Sequence, residues 1–161
     1  MMGAGKTTIG RLLAQRTGCP FLDTDALVAE DAGLPIPEVF SKEGEPAFRD
    51  REANAIAAAA ANHAAVVATG GGAVLAEGNI ETMRAAGTVV WLQARPDTLA
   101  ARIGSAGHRP LLAGDDVRAT LEALLGRRWT AYERAAHHVV VTDDVSIEEA
   151  ATLVEQVWNE S

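Results

Sequence analysis

The first residues able to do chemistry are Gly3, Gly5, Lys6 and Thr7, in the opening stretch MMGAGKTT. They form the second half of the phosphate-binding pattern G-x-x-x-x-G-K-[ST]. Glycines let backbone N–H groups turn toward phosphate, a helix N-terminus adds its dipole, and a lysine neutralises the outer phosphates. The hydroxyl of Thr7 suits Mg2+. Read alone, the segment could be a glycine-rich start to an ordinary helix; GKT opening a helical pattern favours nucleotide binding. The first glycine of the full pattern would fall one position ahead of Met1. The strand that normally leads into such a loop would lie further upstream still.

The next candidates are Asp23 and Asp25 in LDTD, after the apolar pair Phe21-Leu22. Two carboxylates at i and i+2 close a buried strand at its carboxyl end, where α/β sheets hold ligands. One could organise Mg2+ and its water while the other orients or deprotonates a substrate hydroxyl. The plainer reading is a helix cap supplied by Asp25. In FRDRE, Arg49 and Glu52 are three apart and share a helix face, whereas Arg51 points elsewhere. The triplet Gly70-Gly71-Gly72 closes a second apolar run; it is either a tight turn or a backbone surface that a ligand can approach closely. Arg109, in HRPLL, sits in a glycine-rich stretch and reads as a lid arginine able to stabilise transition-state charge. Arg127 and Arg128, before Trp129, read on their own as a basic helix end.

These residues need elements to position them. Helical patterns run over 7–17, 25–31, 37–42, 47–62, 79–86, 96–103, 115–136 and 146–159, with breaks at Gly18, Gly33–Pro35 and Gly44–Pro46. Apolar runs at 21–22, 64–69, 88–92 and 138–142 are strands. They are continuous rather than alternating, which marks a parallel sheet covered on both faces. The loop over 104–114 has three glycines and a proline. No linker or internal repeat appears, so residues 1–161 read as one domain, with substrate-binding helices over about 26–62 and a lid over about 104–116.

Composition narrows the partners. The 161 residues carry a net charge of −8, with 48% hydrophobic and 22% charged residues. An acidic chain gains nothing from phosphate neutralisation, which argues against DNA or RNA. An anionic small molecule must then be held by individually placed cations. Cys19 is the only cysteine, so no intrachain disulfide can form; it reads as a small buried hydrophobe. No signal peptide or membrane span is read, and a cytoplasmic location is expected. His63, His108, His137 and His138 lack metal-ligand spacing, and Trp91, Trp129 and Trp158 read as core packing.

Taken in order, GAGKT, LDTD, the FRxxE helix, GGG, RPLL and an Arg followed by Tyr132 resemble shikimate kinase over nearly the whole chain. The resemblance implies a small P-loop kinase, a three-layer α/β sandwich with parallel strand order 2-3-1-4-5. It implies ATP-dependent phosphorylation of the shikimate 3-hydroxyl, on the route to aromatic amino acids. Gly3, Ala4, Gly5, Lys6, Thr7 and Thr8 would cradle ATP, with Arg102 against adenine. Thr7 would bind Mg2+, and Asp23 would support it through water. Asp25 would contact the attacking hydroxyl. Arg49, Gly70, Gly71, Gly72 and Arg128 would hold shikimate, both arginines gripping its carboxylate and Glu52 orienting them. Lys6, Asp25 and Arg109 would carry the catalysis.

Thr130-Ala131 stand where the family usually has Pro-Leu, and Val145 stands where some members carry Arg. The family's first strand, at the centre of the sheet, is expected to be absent from this chain. Met1 is then expected to be an internal methionine of a longer protein, and the chain as it stands to be poorly stable. A monomer is expected. Two other readings compete: another small-molecule P-loop kinase such as gluconate kinase, and a non-catalytic nucleotide-binding module.

Overall fold

A computed structural model describes residues 1–62, 64–105 and 117–160. Arg109, His108 and most of the expected lid, as well as His63, lie outside the described residues. The order of elements is α1 (Lys6–Thr17), β1 (Phe21–Asp23), α2 (Thr24–Ala32), α3 (Ile36–Ala60), β2 (Val66–Ala68), a 3-10 turn (Ala73–Leu75), α4 (Glu77–Ala86), β3 (Val90–Gln93), α5 (Pro96–Ser105), α6 (Val117–Ala135), β4 (His138–Val141) and α7 (Ile147–Glu160). Strands and helices alternate as the sequence predicts, and only the 3-10 turn is new.

Local chemistry explains the boundaries. Gly5, at φ 85°, enters α1 in the left-handed region, and Gly18 leaves it there at φ 71°. Asp23 caps α2, its side chain accepting the N–H of Asp25 at 3.1 Å. The capping residue is therefore Asp23 and not Asp25, which leaves the Asp25 carboxylate available for other contacts. Within α3, Gly44 at φ 83° and ψ 171° precedes Pro46 and kinks the helix, at the break expected from the sequence.

The strands form two parallel pairs. β1 lies on β2 with Phe21 opposite Val66, and β3 on β4 with Trp91 opposite Val139. Among the described residues no hydrogen bond joins the pairs. Among the described residues, the order β1-β2, then β3-β4, is that of 2-3-1-4-5 without its middle strand. A cavity of about 500 Å3 lies there, lined by Val66 and Val67 of β2, Val90 of β3, Leu13, Ile56 and Trp158.

Apolar packing divides in three. Ile9, Leu13 and Ala14 of α1 meet Val66, Val140 and Ala150, Ala151 and Val154 of α7. Met1, Ala4, Trp91, Leu99, Leu121, Leu125 and Tyr132 form a second cluster beneath the phosphate loop. Val28, Val39, Phe48 and Ala55 join α2 to α3. The expectation of a sheet buried on both faces holds in part. Val140 turns inward, while Val139 and Val141 are 49% and 54% exposed, because β4 is an end strand with one covered face. Trp91 is core, but Trp129 and Trp158 are each 37% exposed, which corrects their assignment to the interior. Cys19 is half-buried and packs beside the first of these clusters. Among the described residues no helix is long and apolar enough to cross a membrane.

Candidate active site

The phosphate loop turns on Gly3 and Gly5, both at positive φ. A side chain at Gly3 would place Cβ 3.0 Å from the Leu99 carbonyl oxygen, so the loop lies directly on α5. The Lys6 ammonium folds back and donates to the Met1 carbonyl at 2.8 Å. This places the cation inside the curve of the loop, where phosphates would meet it. Gly3, Ala4, Gly5, Lys6, Thr7 and Thr8 all border one cavity of about 570 Å3, together with Asp23, Asp25, Arg102, Thr142 and Ser146.

Thr7 Oγ1 donates to Asp23 Oδ2 at 2.9 Å, while Oδ1 of the same carboxylate caps α2. One aspartate thus ties the start of α1 to the start of α2. The two oxygens form a hard-donor pair at the cavity wall. Mg2+ is commonly bound by one or two protein oxygens plus substrate phosphates, so this pair fits it.

At the far side of the cavity, Arg102 donates to Thr142 Oγ1 at 3.1 Å and also to the Thr142 carbonyl. Thr142 is 1% exposed. It was not singled out from the sequence, yet it fixes the arginine that was.

The second half of the site is built around the glycine triplet. Glu52, on α3, is 1% exposed and accepts from Arg49 Nη1 at 2.8 Å. Burial raises the Glu52 pKa; the Arg49 hydrogen bond and charge oppose the rise, the Asp25 charge adds to it, and Arg128 opposes it. Arg49 Nη2 also pairs with Glu45 at 3.0 Å. Arg51 points away, as expected, to Glu43 and Asp31. A Cβ at Gly70 would lie 2.7 Å from Glu52 Oε1 and 2.8 Å from Asp25 Oδ1; one at Gly72 would lie 2.7 Å from Arg49 Nη1. A side chain at Gly70 or Gly72 would push these carboxylate and guanidinium ends aside, whereas Gly71 has ordinary room, so the triplet is a turn on which the three side chains close tightly.

Every carbonyl of the triplet is held. The Gly70 oxygen accepts from the Ala73 N–H at 3.1 Å and the Gly72 oxygen from Leu75 at 2.9 Å. The Gly71 oxygen accepts twice, from Tyr132 Oη at 2.6 Å and Arg128 Nη1 at 3.1 Å. The Gly70 N–H donates to the buried Thr24 hydroxyl at 3.1 Å. The structure therefore brings Asp25, Arg49, Glu52, Arg128 and all three glycines together. Thr24 was missed in the sequence, although a threonine between two carboxylates at a strand end was its signal.

The family described as shikimate kinase matches residues 2–158. A shikimate kinase from Symbiobacterium thermophilum is 49% identical over 151 residues, covering 92% of this chain and 87% of the relative. One from Moorella thermoacetica is 46% identical over 156 residues, covering 97% and 87%. The structure of shikimate kinase from Acinetobacter baumannii in complex with shikimate superposes with a TM-score of 0.91 at 36% identity, covering 99% of this chain and 89% of that one. A match that runs through both halves of the site, from residue 2 to residue 158, settles the assignment: the chain belongs to the shikimate kinase family.

Proposed function

We propose that the two halves of the site divide the work of one reaction, transfer of the ATP γ-phosphoryl group to the 3-hydroxyl of shikimate. The observation that carries this reading is the meeting of Asp25, Arg49, Glu52 and Arg128 on the glycine triplet, next to the cavity walled by the phosphate loop. The loop N–H groups and Lys6 receive the phosphates and stabilise the charge that develops on them. Thr7, and Asp23 through water, would hold Mg2+, which would supply charge neutralisation on the phosphates. Arg102 borders the adenine side.

Shikimate is a carboxylate. Arg49 and Arg128 are the cations placed for it, and the guanidinium fork matches its two oxygens. Glu52 holds Arg49 from behind. Asp25 faces both the phosphate loop and the glycine triplet, so it orients the attacking hydroxyl and accepts its proton. Arg109 completes the transition-state charge from the lid. Products are shikimate 3-phosphate and ADP, on the route to aromatic amino acids. The domain spans residues 1–161, works as a monomer, and acts in the cytoplasm without nucleic-acid or membrane partners.

Gluconate kinase chemistry is not favoured, since the relatives at 46–49% identity are shikimate kinases. A binding module without turnover has no reason to keep Lys6 and Asp25 on one cavity. ADP release with ATP and Mg2+, in the presence of shikimate or of gluconate, tests the reading. Shikimate-dependent release supports it; release with gluconate alone, or tight nucleotide binding with neither, overturns it.

A further inference from the structure

Tyr132 lies on α6, one turn beyond Arg128, so both side chains leave the same helix face. Its ring is 6% exposed and stacks on Trp91 with centroids 5.3 Å apart and planes at 21°. Trp91 in turn meets Trp129 edge-on at 4.9 Å. This aromatic stack fixes the ring, and the only polar atom it carries, Oη, donates to the Gly71 carbonyl at 2.6 Å. Burial raises the phenol pKa, with Arg128 opposing the rise, so the hydroxyl keeps its proton at neutral pH.

The Gly71 carbonyl and the Gly72 N–H belong to one planar trans peptide and point in opposite directions. Holding the carbonyl therefore aims the N–H. Among the described residues neither the Gly71 nor the Gly72 N–H has an acceptor, although every carbonyl of the triplet has a donor. Glycine backbone is otherwise the easiest to rotate. The same carbonyl also receives Arg128 Nη1, at 3.1 Å, so one oxygen sets both a peptide plane and a guanidinium.

We propose that Tyr132 is a positioning residue for carboxylate recognition: its hydroxyl locks the Gly71–Gly72 peptide and seats Arg128, so that donors and cation converge on the substrate carboxylate. This rests on the shikimate reading above. Tyr132 touches neither substrate nor nucleotide, and its effect is exerted on the acidic substrate alone.

The test is Tyr132→Phe, which keeps the ring on Trp91 and removes only the hydroxyl. KM for shikimate should rise about five- to tenfold, the worth of one buried hydrogen bond. The kcat and the KM for ATP should stay within about twofold of the parent. A merely structural role would lower the melting temperature and disturb both substrates alike. A second arm replaces shikimate by the analogue with its carboxylate reduced to the alcohol. The penalty of Tyr132→Phe should then vanish. Amide spectra add a readout without turnover: the Gly71 and Gly72 signals should shift, and those of Gly3 and Gly5 should not.

An unchanged shikimate KM, or an equal penalty with the alcohol, overturns the proposal. Absence of shikimate turnover in the parent protein would instead overturn the function on which it rests, so the two failures are distinct.

Discussion

Thr7 Oγ1 sits 2.9 Å from Asp23 Oδ2, and the other oxygen of that carboxylate caps α2. One side chain thus does a structural and an electrostatic job, and two substitutions separate them. Asp23→Asn retains an oxygen that can accept the Asp25 N–H, so its melting temperature should stay near the parent's. Asp23→Ala loses the cap and should cost about 0.5–2 kcal/mol. Both should raise the Mg2+ concentration needed for half-maximal activity, because both remove the charge. Thermal melts and Mg2+ titrations of the pair check this; an unchanged Mg2+ requirement removes Asp23 from the metal site.

Asp25 borders the nucleotide cavity and lies against the Gly70 backbone. Asp25→Asn should lower kcat by about 10²-fold or more, the scale of lost general-base catalysis. ATP affinity should change little. Steady-state rates combined with nucleotide titration decide it, and near-parental turnover would remove Asp25 from the mechanism.

Gly72→Ala puts a methyl group 2.7 Å from Arg49 Nη1, so the guanidinium must move off its position. The guanidinium is the far end of a flexible side chain, so the fold gives way cheaply and the loss is that of a charged hydrogen bond to the ligand, about 1.5–3 kcal/mol. Shikimate affinity should fall accordingly, while ATP affinity should not. Calorimetric titration with each ligand separates the two, and equal loss for both would indicate collapse of the loop instead.

Glu52 gives a pH dependence of defined sign. Its folded-state pKa lies above the reference value of 4.5, so burial outweighs the ion pair with Arg49. The folded protein then binds this proton more tightly than the unfolded chain does. The associated stability is full below about pH 4.5 and is lost as pH rises through the higher folded value. Glu52→Gln is neutral throughout and lacks this loss. Denaturant unfolding of both proteins from pH 4 to 8 should show the parent losing ground to the variant as pH rises; the opposite slope would mean that the ion pair dominates.

Among the described residues β2 and β3 each present an unpaired edge to the apolar slot between them, and Met1 packs near Gly71 and in the cluster with Trp91, at the carboxyl end of that slot. A segment of five or six β-branched residues joined ahead of Met1 can enter parallel to both strands and satisfy both edges. Its melting temperature should exceed that of residues 1–161 by 10 °C or more, on the basis of about 1.5–3 kcal/mol per buried side chain. Equal, cooperative melting of the two chains would show that the slot contributes nothing to stability.

The sequence by itself determined the alternation of strands and helices, because apolar runs and glycine breaks act over a few residues. Gly18, Gly33 and Gly44 stand at positive φ at the three breaks read from the chain. It also determined the phosphate loop and the Arg49–Glu52 pair, since both are contacts within one turn of helix or loop. The cap on α2 was legible as a D-x-D motif, but not which aspartate caps. That choice follows from α2 starting at Thr24, which leaves Asp23 as the extended residue before it and puts Asp25 inside its first turn. Tertiary structure alone decided that Gly71 is gripped from α6, 57 and 61 residues on in the chain. It alone put Thr24 under Gly70 and Thr142 under Arg102. It also placed Trp129 and Trp158 partly in solvent although their residue type favours burial. Composition and periodicity carry short-range preference; a peptide plane pinned between two glycines is fixed by side chains that only packing brings there.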